Sequence, residues 1–286
     1  TGSVLKNLMF FSLPYLLSYF LQTLYGMADL FIVGQFDGVA STTAVSVGSQ
    51  VMHMLTVMIV GLAMGTTVTI GQAVGAKNRK KISQTIGNTV ILFCIVSVAM
   101  MAFFLCMVRP IVAVMSTPAE AVEGTVAYLT ICFVGIPCIT AYNVISSIFR
   151  GMGDSKSPMY FIAIAFDYIF MGALHLGPAG AALGTTLAQA LSVIIALTVI
   201  LKKKMGISVS GRDFQPRREA TGQIVRIGLP IALQDGLIQV AFIVITIIAN
   251  RRGLSDAAAV GIVEKIISFL FLVPSSMLSA VSALGA

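Results

Sequence analysis

Five ionisable side chains fall inside long stretches that are otherwise almost free of charge: Asp29, Asp167, Asp235, Glu264 and Lys265. A charge at the centre of a bilayer costs at least about 2.5 kcal/mol even on lenient insertion scales, so each is expected to face a polar interior or a water-filled cavity. Asp29 and Asp167, joined by the hydroxyl of Thr185, are the set best suited to chemistry. Their hard oxygens suit Na⁺, and crowded, desolvated carboxylates have the raised pKa values that proton carriage needs. The competing reading makes them helix caps near the interface or packing partners of Ser and Thr. Asp235, next to Gln234, and Glu264 are candidates for a substrate path, with Lys265 weakening the case for Glu264. Gln22, Asn143 and Gln189 could contact substrate on the same path, although interhelical hydrogen bonds explain them equally well. His53 and His175 stand alone and read as structural. Cys94, Cys106, Cys132 and Cys138 all sit in apolar runs without metal-ligand spacing, where cysteine behaves as a small hydrophobe.

The elements that position these residues are membrane spans. Charged residues make up 10 % of the 286, against about 25 % in a soluble domain. Apolar residues make up 57 %, and mean hydropathy is +0.97. Uncharged runs cover 7–28, 38–76, 82–108, 124–149 and 168–201, and a bilayer core needs about 20 mostly apolar residues per helix. Soluble enzymes, secreted disulfide scaffolds and nucleic-acid modules are excluded. No D-D-x-x-D, H-E-x-x-H or G-x-S-x-G element marks a membrane enzyme either. The first apolar run is too long for a signal peptide and lacks a cleavage-type site.

Loop signals predict eight spans: 7–33, 40–75, 82–108, a fourth from Thr117-Pro118-Ala119-Glu120 to Arg150, then 158–174, 178–201, 222–250 and 256–283. Arg109-Pro110 is expected to close the third, because proline cannot continue a helix. The fourth is expected to open with a capping box, proline at its first position and glutamate at its third. Gly61-x₃-Gly65 and Gly71-x₃-Gly75 suit close helix contact, read as packing rather than gating. If the N-terminus is cytoplasmic, fourteen of the 18 Lys and Arg fall on the cytoplasmic side and three outside, which sets that orientation. Asp29, Asp167 and Thr185 then lie at one depth, roughly 7–11 Å below the outer boundary.

The chain divides into 1–201, six spans; 202–221, a cytoplasmic linker; and 222–286, two further spans. Leu13-Pro14 and Leu229-Pro230 open similar runs, and 42–48 resembles 257–263 at the same offset of roughly 215 residues. Spans seven and eight therefore read as a second, parallel copy of spans one and two, the kind of repeat found in secondary transporters. The expected fold is an all-α polytopic membrane protein, a six-helix N-lobe followed by the first two helices of a pseudo-symmetric C-lobe.

LPYLLSYFLQTLYGMADLFIVGQ (13–35), TIGQAVGAKN (69–78), IFRGMGDSKSPM (148–159) and FDYIFMGALHLGPAGAALGTTLAQ (166–189) together resemble a multidrug and toxic compound extrusion (MATE) transporter of the bacterial type. The resemblance covers essentially the whole chain. It implies twelve helices in two lobes, with export of cationic amphipathic drugs or dyes in exchange for H⁺ or Na⁺ by alternating access. The coupling ion would be the only cofactor-like species. The expected setting is the bacterial inner membrane, with a lipid bilayer around a monomer and no nucleic-acid partner. The first-lobe cation site of the family would fall on Asp29, Asp167 and Thr185. The chain departs from the pattern at Ala163, where the family usually has Asn. Its fifth span is one to two turns short, pointing to residues absent at the Ala165–Phe166 junction. It stops at Ala286 inside the second repeat, leaving about four helices unaccounted for. A lipid-linked oligosaccharide flippase of the same superfamily is the alternative, but its cavity would be basic, whereas the interior charges here are mainly acidic.

Overall fold

Backbone N–H and C=O groups surrounded by hydrocarbon must be paired within the protein, which favours helices for spans of this kind. The computed structural model describes residues 38–152, 177–202 and 211–252, with 12, 13, 16 and 20 near the start and 263, 267, 270–277 and 281 near the end. Among the described residues every regular element is helical: α1 (Gly38–Gly75), α2 (Arg79–Val114), α3 (Val122–Val134), α4 (Ile136–Gly151), α5 (Gly177–Lys202) and α6 (Arg218–Arg252). Short 3₁₀ turns lie at Ala119–Ala121 and Gly211–Phe214. By length and composition α1, α2, α5 and α6 can each cross a bilayer, and α3 with α4 makes a fifth, bent span. At 1.5 Å per residue, the 38 residues of α1 reach about 57 Å, well beyond a hydrocarbon core of about 30 Å.

The helices bury polar residues and expose apolar ones. Thr66, Thr67, Thr69, Thr85, Asn88, Thr89 and Ser147 are buried, whereas Ile95, Val98, Phe103 and Val114 of α2 are exposed. A lipid solvent accepts those apolar side chains, while hydroxyl groups need partners from neighbouring helices. Thr66 and Thr89 hydroxyls pair at 3.2 Å between α1 and α2, and Thr67 Oγ1 donates to Ser147 O of α4 at 3.1 Å. One apolar cluster, with Leu55, Leu129, Phe133 and Ile136, ties α1, α2, α3, α4 and α5 together. A second, around Ile59, Ile70, Phe93 and Ile148, joins α1, α2 and α4.

Four features differ from those expected. The helix α2 runs through Pro110 to Val114. Only four residues follow the proline, and Val112 and Met115 are seated in the apolar core, so packing outweighs the lost hydrogen bond. The capping box before the fourth span does not form: Thr117 Oγ1 donates backward to Val112 O at 3.1 Å, and the turn at Pro118 has no side-chain cap. The fourth span is not one rod but α3 and α4, bent by 51° at Gly135. Pro137 in the first turn of α4 removes an amide donor and crowds the preceding turn, so the helix restarts there. The polar linker is shorter than expected, since α6 begins at Arg218. Span five and the Ala165–Phe166 junction lie outside the described residues, as do most of span one and most of span eight.

Candidate functional site

The helix break at Gly135 brings α5 against the bundle. A Cβ at Gly135 would lie 2.5 Å from Thr186 Cγ2, and one at Gly124 would lie 3.1 Å from Pro178 Cγ. These two contacts advance together along both chains, so α3 and α5 run side by side in the same direction. Thr140 of α4 lies five residues beyond Gly135, and Gln189 of α5 three residues beyond Thr186. Gln189 lies four residues from Thr185 and three from Thr186, so on α5 it neighbours both. On α4, Thr140, Asn143, Ser146 and Ser147 are all buried.

The polar atoms here are incompletely satisfied. Among the described residues, the buried hydroxyls of Thr140 and Thr186 and the buried Oε1 of Gln189 have no hydrogen-bond partner. Asn143 Nδ2 donates to Ile139 O within α4 at 2.8 Å. An amide oxygen accepts only, and a hydroxyl both accepts and donates. The set therefore demands a donor or a hard cation, which a protonated amine, water or Na⁺ could supply.

Thr185 is half-buried on the same face as Gln189, so the structure brings these two expected site residues together, with Asn143 on the adjacent α4. Asp29, Asp167, Gln22 and Glu264 lie outside the described residues. Asp235 belongs elsewhere: it is half-buried on α6, beside Gly236, which packs on Met58 of α1. Sequence reasoning missed Thr140 and Thr186. Their signal was present as polar residues recurring every three or four positions within apolar runs. Cys132 is buried in the apolar core, Cys138 is half-buried, and Cys94 and Cys106 are exposed; none of the four is in a disulfide. Among the described residues no group of three His, Cys, Asp or Glu could hold a metal ion.

The family model MatE matches residues 14–172, more than half of the chain. The chain belongs to the MatE family. This MatE chain is 28 % identical over 290 residues to the probable multidrug resistance protein YpnP of Bacillus subtilis, covering 99 % of the chain and 65 % of YpnP. Its fold matches a MOP superfamily transporter of Pyrococcus furiosus, described as having a binding pocket of reverse polarity that suggests a different function. That match has a TM-score of 0.89 and 26 % identity, covering 98 % of this chain and 63 % of that one. It also matches a MATE protein in complex with MaD3S, with a TM-score of 0.86 and 25 % identity, covering 98 % and 64 %. The MatE chain thus spans just under two thirds of the length of these relatives. The relatives that it matches are named as multidrug resistance proteins and transporters.

Proposed function

We propose that this MatE chain provides the first lobe and the start of the second lobe of a secondary multidrug exporter in a bacterial inner membrane. Its N-terminus is cytoplasmic and its cargo is cationic amphipathic compounds. The observation that carries the reading is the oxygen-lined face of α5 and α4, where Thr186, Gln189 and Thr140 lack partners beside Thr185. Such a face suits a cationic or hydrogen-bond-donating ligand, in keeping with the names of the multidrug relatives.

Coupling by H⁺ or Na⁺ at Asp29, Asp167 and Thr185 completes the mechanism. Ion binding can drive transport only if the ion binds the drug-loaded and drug-free arrangements with different affinity. The two carboxylates supply that difference, because a bound proton or Na⁺ neutralises charge that a cationic drug would otherwise balance. Dye efflux from everted vesicles containing the full-length protein, under imposed ΔpH or Na⁺ gradients, tests the reading and identifies the ion. Asp29→Asn is expected to abolish efflux while leaving expression and folding intact; wild-type efflux by that variant refutes the site. The likeness to a transporter of reverse pocket polarity favours a second reading, export of an anionic lipid-linked cargo. Efflux of anionic but not cationic probes in the same vesicles would select it.

A further inference from the structure

The polar residue Asn88 is 1 % exposed and lies on α2 where the 211–217 segment packs against it. Its Nδ2 donates to Gln84 O at 2.8 Å, which fixes the amide so that Oδ1 points outward from its own helix. That oxygen accepts from the Arg217 backbone N–H at 2.6 Å and from Thr221 Oγ1 at 3.4 Å. The neighbouring Gly87 lies against the carbonyl of Asp213, where no Cβ would fit. The linker is therefore seated on α2 where it turns into α6.

From this point α6 runs antiparallel along α1. Gln223 Nε2 donates to Gln72 Oε1 at 3.0 Å. Gly65 then faces the carbonyl of Ile224, Gly228 faces the carbonyl of Leu62, and a Cβ at Gly61 would lie 2.7 Å from Ala232 Cα. Surfaces built from glycine and alanine let the two backbones approach closely. The Gln72–Gln223 pair is exposed, whereas the hydrogen bonds at the start of α6 converge on the buried amide of Asn88.

We propose that Asn88 is a latch: it pins the linker and the start of α6 to α2, and so holds shut a gate formed by α1 and α6 at the end of the bundle carrying Lys77, Arg79, Lys80 and Lys81. Asn88 is a positioning residue in this arrangement and touches no substrate. The gating role rests on the reading above that α6 opens the second lobe and that the lobes part during transport.

The test uses the full-length protein with its four cysteines in this region replaced by alanine, and with Gln72→Cys and Gln223→Cys joined by a short bis-methanethiosulfonate reagent. Cross-linking is read as the covalent rejoining of fragments after cleavage at a protease site placed in the linker. The cross-linked protein is expected to stop exporting dye and to resume when reduced. Asn88→Ala is expected to raise the open-to-closed ratio in resting membranes roughly five-fold, the effect of losing about one buried hydrogen bond, seen as slower cross-linking. Gly87→Ala leaves Asn88 in place and favours the helix, yet drives a methyl group into the Asp213 carbonyl, so it is expected to slow cross-linking as well. Unchanged rates in either inserted variant overturn the latch. Efflux that continues after cross-linking overturns the gate. Failure of the uncross-linked protein to export any probe defeats the transport reading alone, because the cross-linking rates still decide whether Asn88 latches the linker.

Discussion

A buried oxygen without a donor is a standing penalty of about 1–3 kcal/mol, and Gln189 Oε1 is such an atom among the described residues. A binding protein can carry that penalty because ligand removes it. Gln189→Met keeps the shape of the side chain and deletes the demand. In the ligand-free full-length protein it is expected to raise stability by about 1 kcal/mol, the lower end of that range, seen as a higher unfolding temperature in detergent. The same variant is expected to weaken binding of a cationic dye, seen as a smaller dye-induced rise in unfolding temperature. A variant that is less stable when empty and binds dye normally would make Gln189 a structural residue. The hydroxyl pair of Thr66 and Thr89 is the contrasting case. There each oxygen finds a partner, so the pair holds α1 to α2 and leaves nothing for a ligand.

At the scale of elements, the two glycine spacings on α1 have opposite outcomes. Gly61 and Gly65 lie against the backbone of α6, whereas a Cβ at Gly75 would meet nothing within 4 Å. Gly65→Ala is expected to force α1 and α6 apart at a cost of about 1–3 kcal/mol, the usual range for overpacking. Gly75→Ala, at the end of the helix and free of any clash, is expected to be neutral or to gain up to about 1 kcal/mol through helix propensity. Thermal unfolding of both variants in one detergent checks the contrast, and equal shifts would refute the α1–α6 contact. Both spacings were visible in the chain, but only a partner distant in sequence tells them apart. The same limit hid Asn88, an ordinary polar residue in an apolar run until Arg217 is brought to it. The span positions of α1, α5 and α6 were legible because apolar length and flanking charge are local properties. Pro110 and Pro137 show where local rules fail. Both were equally able to break a helix, yet packing at Val112 and Met115 carried α2 through the first, while the chain bent at the second. At the candidate site, Thr185, Asn143 and Gln189 could be read as intramembrane polar residues. Thr140 and Thr186 needed the contact of α5 with the bend at Gly135.

For the whole molecule, the distribution of charge over the helix ends predicts which way the bundle sits in the bilayer. The exposed turn from α1 to α2 carries Lys77, Lys80 and Lys81, and its backbone is set by Lys77 at φ 53° and by Asn78 capping Lys81 N at 3.0 Å. Because α6 runs antiparallel to α1, Arg217 and Arg218 lie at the same end, where Asn88 holds the Arg217 backbone. The opposite end of α2, around Ser116 and Glu120, has Arg109 as its nearest cation in sequence. Cytoplasmic loops retain Lys and Arg while translocated short loops are depleted of them, so the basic turn is expected to face the cytoplasm. In the full-length protein lacking these four cysteines, Glu120→Cys is expected to react with a membrane-impermeant maleimide added to intact cells, and Ala76→Cys only in everted vesicles. Both positions are exposed, so accessibility reports the side of the membrane rather than burial. The reverse pattern would invert the bundle and put the latch at Asn88 outside. The gate formed by α1 and α6 would then open toward the exterior, and the cation site expected at Asp29, Asp167 and Thr185 would lie near the cytoplasmic face.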